Sequence, residues 1–273
     1  MNVAANPLDH AYGLLRAGRY REGFAALETR RQRETLAPRR TGKPEWAGEP
    51  LDGQHIVIWG EQGLGDEIMM ARFLRPLRAA GAQVTYVCQK PNMRLLVGCG
   101  ATWLANRGSV VTPPPFDYWL GALSLPHRLG VTVENLSGAA YLRRPEAQRS
   151  GGVGLVWRGN AGFGHDRFRS MPSPDLLAEA FPDGVFMEPE GDMLDSARKL
   201  LSLDALVTTD TSWVHLAGAL GVPTFVLISD QYPEWRWGAA GDRTPWYDSV
   251  TICRQDAPGD WPSAVAKAVA HLR

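Results

Sequence analysis

Residues 204–227 read DALVTTDTSWVHLAGALGVPTFVL, and this stretch limits the fold more tightly than any other. Residues 205–209 are a short apolar, β-branched run, the pattern of a buried strand. Asp210, Thr211 and Ser212 follow at once, and all three are helix N-cap types. Residues 213–220 have helical composition. Gly221 and Pro223 stop that helix, and residues 224–228 start a second buried strand. The result is a strand–helix–strand unit of an α/β sheet, with polar residues at the first strand's carboxyl end.

That placement has a chemical consequence. A helix N-terminus presents unpaired backbone N–H groups and about half a positive charge, so it suits a phosphate or diphosphate. In open α/β sheets ligands bind outside the carboxyl ends of strands, where Asp210, Thr211 and Ser212 fall. His215 lies one turn into the helix and can face the same ligand. The competing reading makes Asp210 or Thr211 a plain N-cap and His215 a packed histidine.

Composition narrows the classes. The chain has 273 residues, 44% hydrophobic and 21% charged, as in ordinary globular proteins. Lys plus Arg equals Asp plus Glu at 29 each, which gives no reason to expect nucleic acid as a partner. Cys88, Cys99 and Cys253 are scattered, lack metal-ligand spacing and suit buried thiols in a reducing compartment. There is no H-E-x-x-H, no paired Cys-x-x-Cys, no D-x-D run and no G-x-S-x-G elbow, so neither a metal nor a serine nucleophile is expected. No apolar signal core opens the chain, and no run approaches the ~18 residues of a membrane span, so a cytoplasmic protein is expected.

Along the chain, residues 7–36 read as two short helices turning at residues 17–20. Leu8, Ala11, Leu14 and Leu15 make one apolar face; Phe24, Ala25, Leu27 and Leu36 make another. One hairpin cannot bury its own face, so it is expected to pack on the main body or to remain from a longer array. Arg30, Arg31, Arg33, Arg39 and Arg40 form a basic run, read as a solvated face with an acceptor contact as the alternative. Residues 41–53 are a Gly- and Pro-rich linker. A strand at 56–59, the turn GEQGLGDEI, a helix at 67–80 and a strand at 84–88 make a βαβ start. The middle is less regular, with a helix expected at 92–97 and a helical run at 120–129. Residues 143–152 are charged, then glycine-rich, and mark a domain boundary. The alternation then restarts, with strands at 153–157 and 184–187, helices at 174–181 and 193–201, a tryptophan-rich loop at 230–248, a strand at 250–253 and a helix at 262–272. Three domains are expected, 1–45, 46–149 and 150–273. The last two are Rossmann-like α/β halves with a cleft between them.

Three further motifs could carry chemistry. In GEQGLGDEI the glycines are spaced G-x-x-G-x-G, not the dinucleotide G-x-G-x-x-G. Gly63 and Gly65 would let a ligand approach the backbone, or merely make a tight turn. Asp66 is a carboxylate able to take a proton from an attacking hydroxyl, or an N-cap; Glu61 and Glu67 are nearby alternatives. RGNAGFGHDRFRSMP packs Arg158, His165, Arg167 and Arg169 into one loop after a strand, suited to phosphate oxygens or simply solvated. YPEWRWGAAGDRTPWYDS offers Arg236, Trp237, Trp246 and Tyr247 to line a cleft and stack on a base or sugar, or to pack internally.

Together these strings resemble a known family. DTSWVHLAGALGVPT resembles the nucleotide-binding segment of the heptosyltransferases, glycosyltransferase family nine. It is closer still to bacterial proteins that join tetratricopeptide helices to such a domain. GEQGLGDEI resembles the family's G-D turn after strand one, whose aspartate is taken as the general base; carried over, this makes Asp66 catalytic. Asn160, Asp166, Arg167, Arg169 and Ser170 match the relatives' segment, which carries no lysine here although heptosyltransferases often use one. RWGAAGDRTPWYDS resembles the relatives' tryptophan loop, and AYGLLRAGRYREGFAALE resembles one tetratricopeptide unit. The resemblance runs from about residue 46 to 273.

It implies a GT-B-like fold and an inverting, metal-independent glycosyltransferase with no cofactor beyond its nucleotide-diphosphate sugar co-substrate, for which ADP-heptose is the family's usual donor. Arg158, Asn160, Arg167, Arg169, Asp210, Thr211, Ser212 and His215 would bind the donor. Gly63, Gly65, Arg236, Trp237 and Trp246 would line the cleft. The acceptor would be a saccharide or protein, and a homo-oligomer stays open. A non-catalytic nucleotide-sugar or protein binding module of the same fold is the alternative, and a nucleotide-sugar epimerase a further one.

Overall fold

The computed structural model describes residues 7–33, 42–108, 112–229 and 234–272. The chain divides into two units, Met1–Leu136 and Ser137–Arg273.

The first unit begins with helices α1 (Pro7–Arg16) and α2 (Tyr20–Leu27), followed by a 3-10 turn at Glu28–Arg33. Ala11, Leu15, Tyr20, Phe24 and Leu27 are all buried. Gly23 is what lets the helices close up, since a Cβ there would meet the Leu15 side chain at 2.7 Å. The expected Leu36, Arg39 and Arg40 lie outside the described residues. The body is a parallel sheet of β1 (His55–Trp59), β2 (Gln83–Cys88), β3 (Trp103–Asn106) and β4 (Tyr118–Gly121), in the order β3-β2-β1-β4. Ile56, Val57 and Ile58 are fully buried, as a central parallel strand requires.

Three expectations change here. The single helix at 67–80 is α3 (Leu64–Met70), a 3-10 turn and α4 (Leu74–Ala79). Pro76 cannot donate a backbone hydrogen bond, so it falls in the first turn of a restarted helix. In place of the helix at 92–97 there is a 3-10 turn at Lys90–Asn92. The helical run at 120–129 opens as β4, passes through a 3-10 turn at Ala122–Ser124 and becomes α-helical at α5 (Leu125–Arg128), against which α2 packs. The less regular middle thus supplies two of the first sheet's four strands. β3 and β4 are four residues each, WLAN and YWLG, with no β-branched residue to mark them as strands.

The second unit holds β5 (Val153–Val156), β6 (Val185–Phe186), β7 (Ala205–Thr209), β8 (Thr224–Ile228) and β9 (Val250–Arg254). All pairings are parallel and the order is β6-β5-β7-β8-β9. Its helices are α6 (Asp166–Arg169), α7 (Asp175–Ala180), α8 (Met193–Leu201), α9 (Ser212–Leu220) and α10 (Trp261–Leu272). Leu155, Val207, Leu227 and Cys253 from the sheet pack with Leu177, Ala264, Val265 and Ala268 in one core. Gly221, at φ +70, closes α9 in the left-handed conformation that glycine favours.

The unit begins ahead of the expected boundary at 149, and hydrogen bonds explain why. The Asp248 N–H donates to the Gly138 carbonyl (2.8 Å), and the Tyr141 and Leu142 N–H groups donate to the Ala219 carbonyl. Arg149 pairs with Asp204. A strip with linker composition is thus strapped to α9 and to the loops before β7 and β9. The three cysteines are buried free thiols. No helix among the described residues is long and apolar enough to cross a membrane.

Candidate functional site

Strand order locates two candidate sites, one in each unit. In an open parallel sheet the crevice opens where strand order reverses, at the carboxyl ends of the strands on either side. In the first sheet that point lies between β1 and β4, and in the second between β5 and β7.

At the first point stands the turn of residues 60–63. Gln62 has φ 56, a left-handed conformation that costs a non-glycine residue energy unless its surroundings impose it. They do so from two sides. Arg107 donates to the Gly60 carbonyl (2.8 Å) and the Gln62 carbonyl (2.9 Å). Arg30 grips the Glu61 carboxylate through Nε (3.0 Å) and Nη2 (2.9 Å), and the Leu123 N–H donates to the same carboxylate. Arg30 is only 8% exposed, so it is not part of a solvated face. Burial alone would lower its pKa, but Glu61 and Glu28 outweigh that and raise it.

Glu67 is wholly buried. It accepts from the Gln89 N–H and the Asn92 amide and lies 3.5 Å from Arg107. Burial raises its pKa against those partners. Gly60 is glycine for this carboxylate, since a Cβ would meet Glu67 Oε1 at 2.6 Å. Glu61 and Glu67 are therefore structural groups of the turn. Asp66 is half-buried at the start of α3, where its Oδ2 accepts the Gly63 N–H (3.0 Å). Gly63 is exposed, but Gly65 is buried in the first turn of α3, contrary to the expected open lining.

At the second point two motifs come together. The loop after β5 contains the short helix α6, and inside it Asp166 is the hub. It accepts from Arg169 Nε (3.0 Å) and Ser170 Oγ (2.8 Å), while Ser170 accepts the Gly159 N–H (2.8 Å). This hub ties Arg169, Ser170 and the Gly159 backbone together. Arg158 and Arg167 are exposed, their guanidinium groups lying over Trp157 and Phe168. Asn160 is exposed and accepts the Gly162 N–H. Beside the loop opens a cavity of about 290 Å³, lined by Arg167, Phe168, Ser170, Ser229, Gly259 and Trp261 among others.

After β7, Thr211 caps α9, its Oγ1 accepting the Trp213 N–H (3.3 Å). Ser212 is half-buried in the first turn of α9. Asp210 is half-buried. Burial and the nearby Glu234 push its carboxyl up to about 6, while Arg169, Arg236 and Trp237 pull it down. Arg169 and Asp210 are thus close enough to act on each other, although 41 positions separate them in sequence.

The tryptophan-rich loop corrects the cleft-lining expectation; its residues 230–233 lie outside the described residues. Trp237 and Trp246 are 0% exposed, and Arg236 is buried with Glu234 and over the Trp235 ring. Burying such an indole is worth about 4–6 kcal/mol of hydrophobic free energy. Stacking on a base returns only about 1–3 kcal/mol, so burial wins. The loop instead docks on α9. Tyr247 lies against Gly218, where a Cβ would meet its ring at 2.3 Å, and its hydroxyl reaches His215 Nδ1 (2.9 Å). His215 stacks on Trp237 and is 6% exposed, so it supports α9 from within.

Sequence reading missed Arg30, Arg107 and Glu234. Arg107 follows β3 directly, and recognising that strand would have flagged it; Arg30 was hidden in a basic run.

No protein-family model matches the chain. It is 25% identical to Protein FlbA of Caulobacter vibrioides over 95% of its own length, and spans about half the length of that relative (53%). Among solved structures it matches the glycosyl transferase family 9 protein from Veillonella parvula with a TM-score of 0.53, at 14% identity, over 77% of this chain and 88% of that one. It matches E. coli heptosyltransferase WaaC, solved with ADP, with a TM-score of 0.50, at 12% identity, over 80% and 98%. The resemblance first seen in short motifs thus extends to the fold: the chain has the α/β, GT-B-like fold of solved family 9 glycosyltransferases.

Proposed function

We propose that this protein is a glycosyltransferase that moves a sugar from a nucleotide-diphosphate sugar, with ADP-heptose the first donor to test, to a hydroxyl of a saccharide or protein side chain. One observation carries the reading. The strands that flank the switch point of the second sheet, β5 and β7, are the two that lead into the arginine loop and the N-terminus of α9. Both suit a diphosphate, the guanidinium groups by charge and the helix end by its N–H groups and dipole. That WaaC was solved with ADP supports a nucleoside diphosphate as ligand. Asp210, its carboxyl already raised to about 6, protonates more readily than an ordinary aspartate, and an anion bound beside it would raise it further.

In this reading the acceptor oxygen attacks the anomeric carbon, the bond to the diphosphate breaks with its electron pair, and Asp66 takes the acceptor proton. A single displacement inverts the anomeric centre. Arg167, Arg169 and the first N–H groups of α9 stabilise the leaving diphosphate without a metal ion. The hairpin is read as a tetratricopeptide unit, and a cytoplasmic location and a homo-oligomer belong to the same reading.

The test is thermal unfolding of the purified protein with ADP, UDP, GDP and their sugars, followed by assay of sugar transfer. A diphosphate at a hundred times its Kd stabilises by about 2.7 kcal/mol. No stabilisation by any of them removes the donor site. Binding without transfer favours the second reading, a nucleotide-sugar binding module, which the engagement of Asp66 as a cap supports.

A further inference from the structure

We propose that the N-terminal hairpin serves the site of the first unit directly, with Arg30 a positioning residue that, together with Arg107, sets the turn from which Asp66 projects. The inference rests on the reading of Asp66 as general base.

Three observations support it. The first is the target of Arg30. It reaches across 31 positions to Glu61, inside the turn, with a two-point grip rather than a single contact. Room is made for that carboxylate, since a Cβ on Gly121 would meet Glu61 Oε2 at 2.5 Å. The second is the network behind the grip. Arg30 also donates to Ser124 Oγ (2.8 Å) and Glu28 (2.9 Å), and Ser124 Oγ donates to Glu28 (2.8 Å). Arg128 closes the set, 3.3 Å from Glu28. The end of the hairpin, the turn after β1 and the start of α5 are thereby one buried polar assembly. The third is the backbone of the turn. Gln62 holds a left-handed φ that persists only when its neighbours dictate it. Arg107 fixes its carbonyls and Arg30 fixes the side chain of the residue before it. Asp66 follows three residues after Gly63, to which it is bonded. Loosening the turn therefore displaces the carboxylate. Mere attachment of a hairpin needs none of this, because its apolar face already packs on α5.

Arg30→Lys tests the idea. It keeps Glu61 paired in charge but removes the two-point grip. Glu61→Gln is the companion variant, keeping an oxygen for the Leu123 N–H. Two readouts are taken on each folded variant: amide hydrogen exchange of residues 60–66, and transfer kinetics. The expected result is exchange faster by about tenfold at those amides with the cores unchanged. The turnover number falls by about 10–100-fold, while the donor KM and ADP affinity stay within about twofold. Exchange and turnover that match the wild type in either folded variant overturn the proposal. A wild-type protein that transfers no sugar, with exchange still altered in Arg30→Lys, sinks the transferase reading and leaves the positioning role standing.

Discussion

The same structural location is built in opposite ways in the two units. After β1 the cations face inward. Arg30 is buried, and its guanidinium, with that of Arg107, is spent on carbonyls and carboxylates of the turn. After β5 the carboxylate is inside and the cations are outside. Asp166 is buried and holds Arg169 and Ser170, while Arg158 and Arg167 stand exposed over aromatic rings. The first arrangement leaves the Asp66 carboxylate half-buried at the start of α3. The second presents positive charge. An arginine-rich sequence does not announce which of the two it makes; burial and the sign of the central residue decide. A base suits the first and a diphosphate the second.

The largest effect expected to break this contrast comes from Asp66→Asn. The amide is isosteric, and its oxygen can still accept the Gly63 N–H, so the turn should survive. Loss of a general base costs about 10²–10⁴-fold in turnover. ADP binding, which the proposed function assigns to the second unit, should be unchanged by calorimetry. Transfer at the wild-type rate would leave the first turn as a scaffold with no chemical role.

Next comes Asp210, where the contrast is sharpened by pH. Its carboxyl is raised from 3.8 to about 6 in the folded protein. A raised acid costs stability when ionised, so the cost is complete above about pH 6 and fades as pH falls toward the unfolded value. Asp210→Asn should therefore be more stable than wild type at pH 8, by on the order of 1–3 kcal/mol. The gain should shrink through the interval between those two values and be gone at its lower end. Denaturant midpoints measured at pH 8 and pH 4 check this. An equal difference at both would mean that the carboxyl is not perturbed.

How much of this the sequence disclosed follows from element length and from the range of the interactions. Strand β7, helix α9 and strand β8 were legible because a buried β-branched run, a capping triplet and a glycine stop fall within 24 residues. β3 and β4 were not, since WLAN and YWLG contain no β-branched residue, unlike the equally short VGLV of β5. The phosphate-suited elements could be placed because each follows its strand locally. The roles of Glu61, Arg30 and Arg107 could not, because their contacts span 31 to 94 positions. Trp237 and Trp246 were misplaced for a related reason: a tryptophan's type does not reveal whether protein or ligand covers it, and here α9 and its neighbours do.

The smallest effect, Arg167→Ala, isolates the outward-facing charge. Arg167 lies over the Phe168 ring and lines the cavity beside the loop. Asp166 is held by Arg169 and Ser170, so the hub does not depend on Arg167. Its removal should change unfolding stability by no more than about 0.5 kcal/mol, as for exposed positions generally. A charge-assisted contact to a phosphate is worth about 1.5–3 kcal/mol, so ADP should bind about 10–100-fold more weakly. Arg158→Ala, on the same exposed rim, serves as the comparison. If both leave ADP affinity as it was, the outward cations are solvated surface, and the contrast between the two turns is one of packing alone.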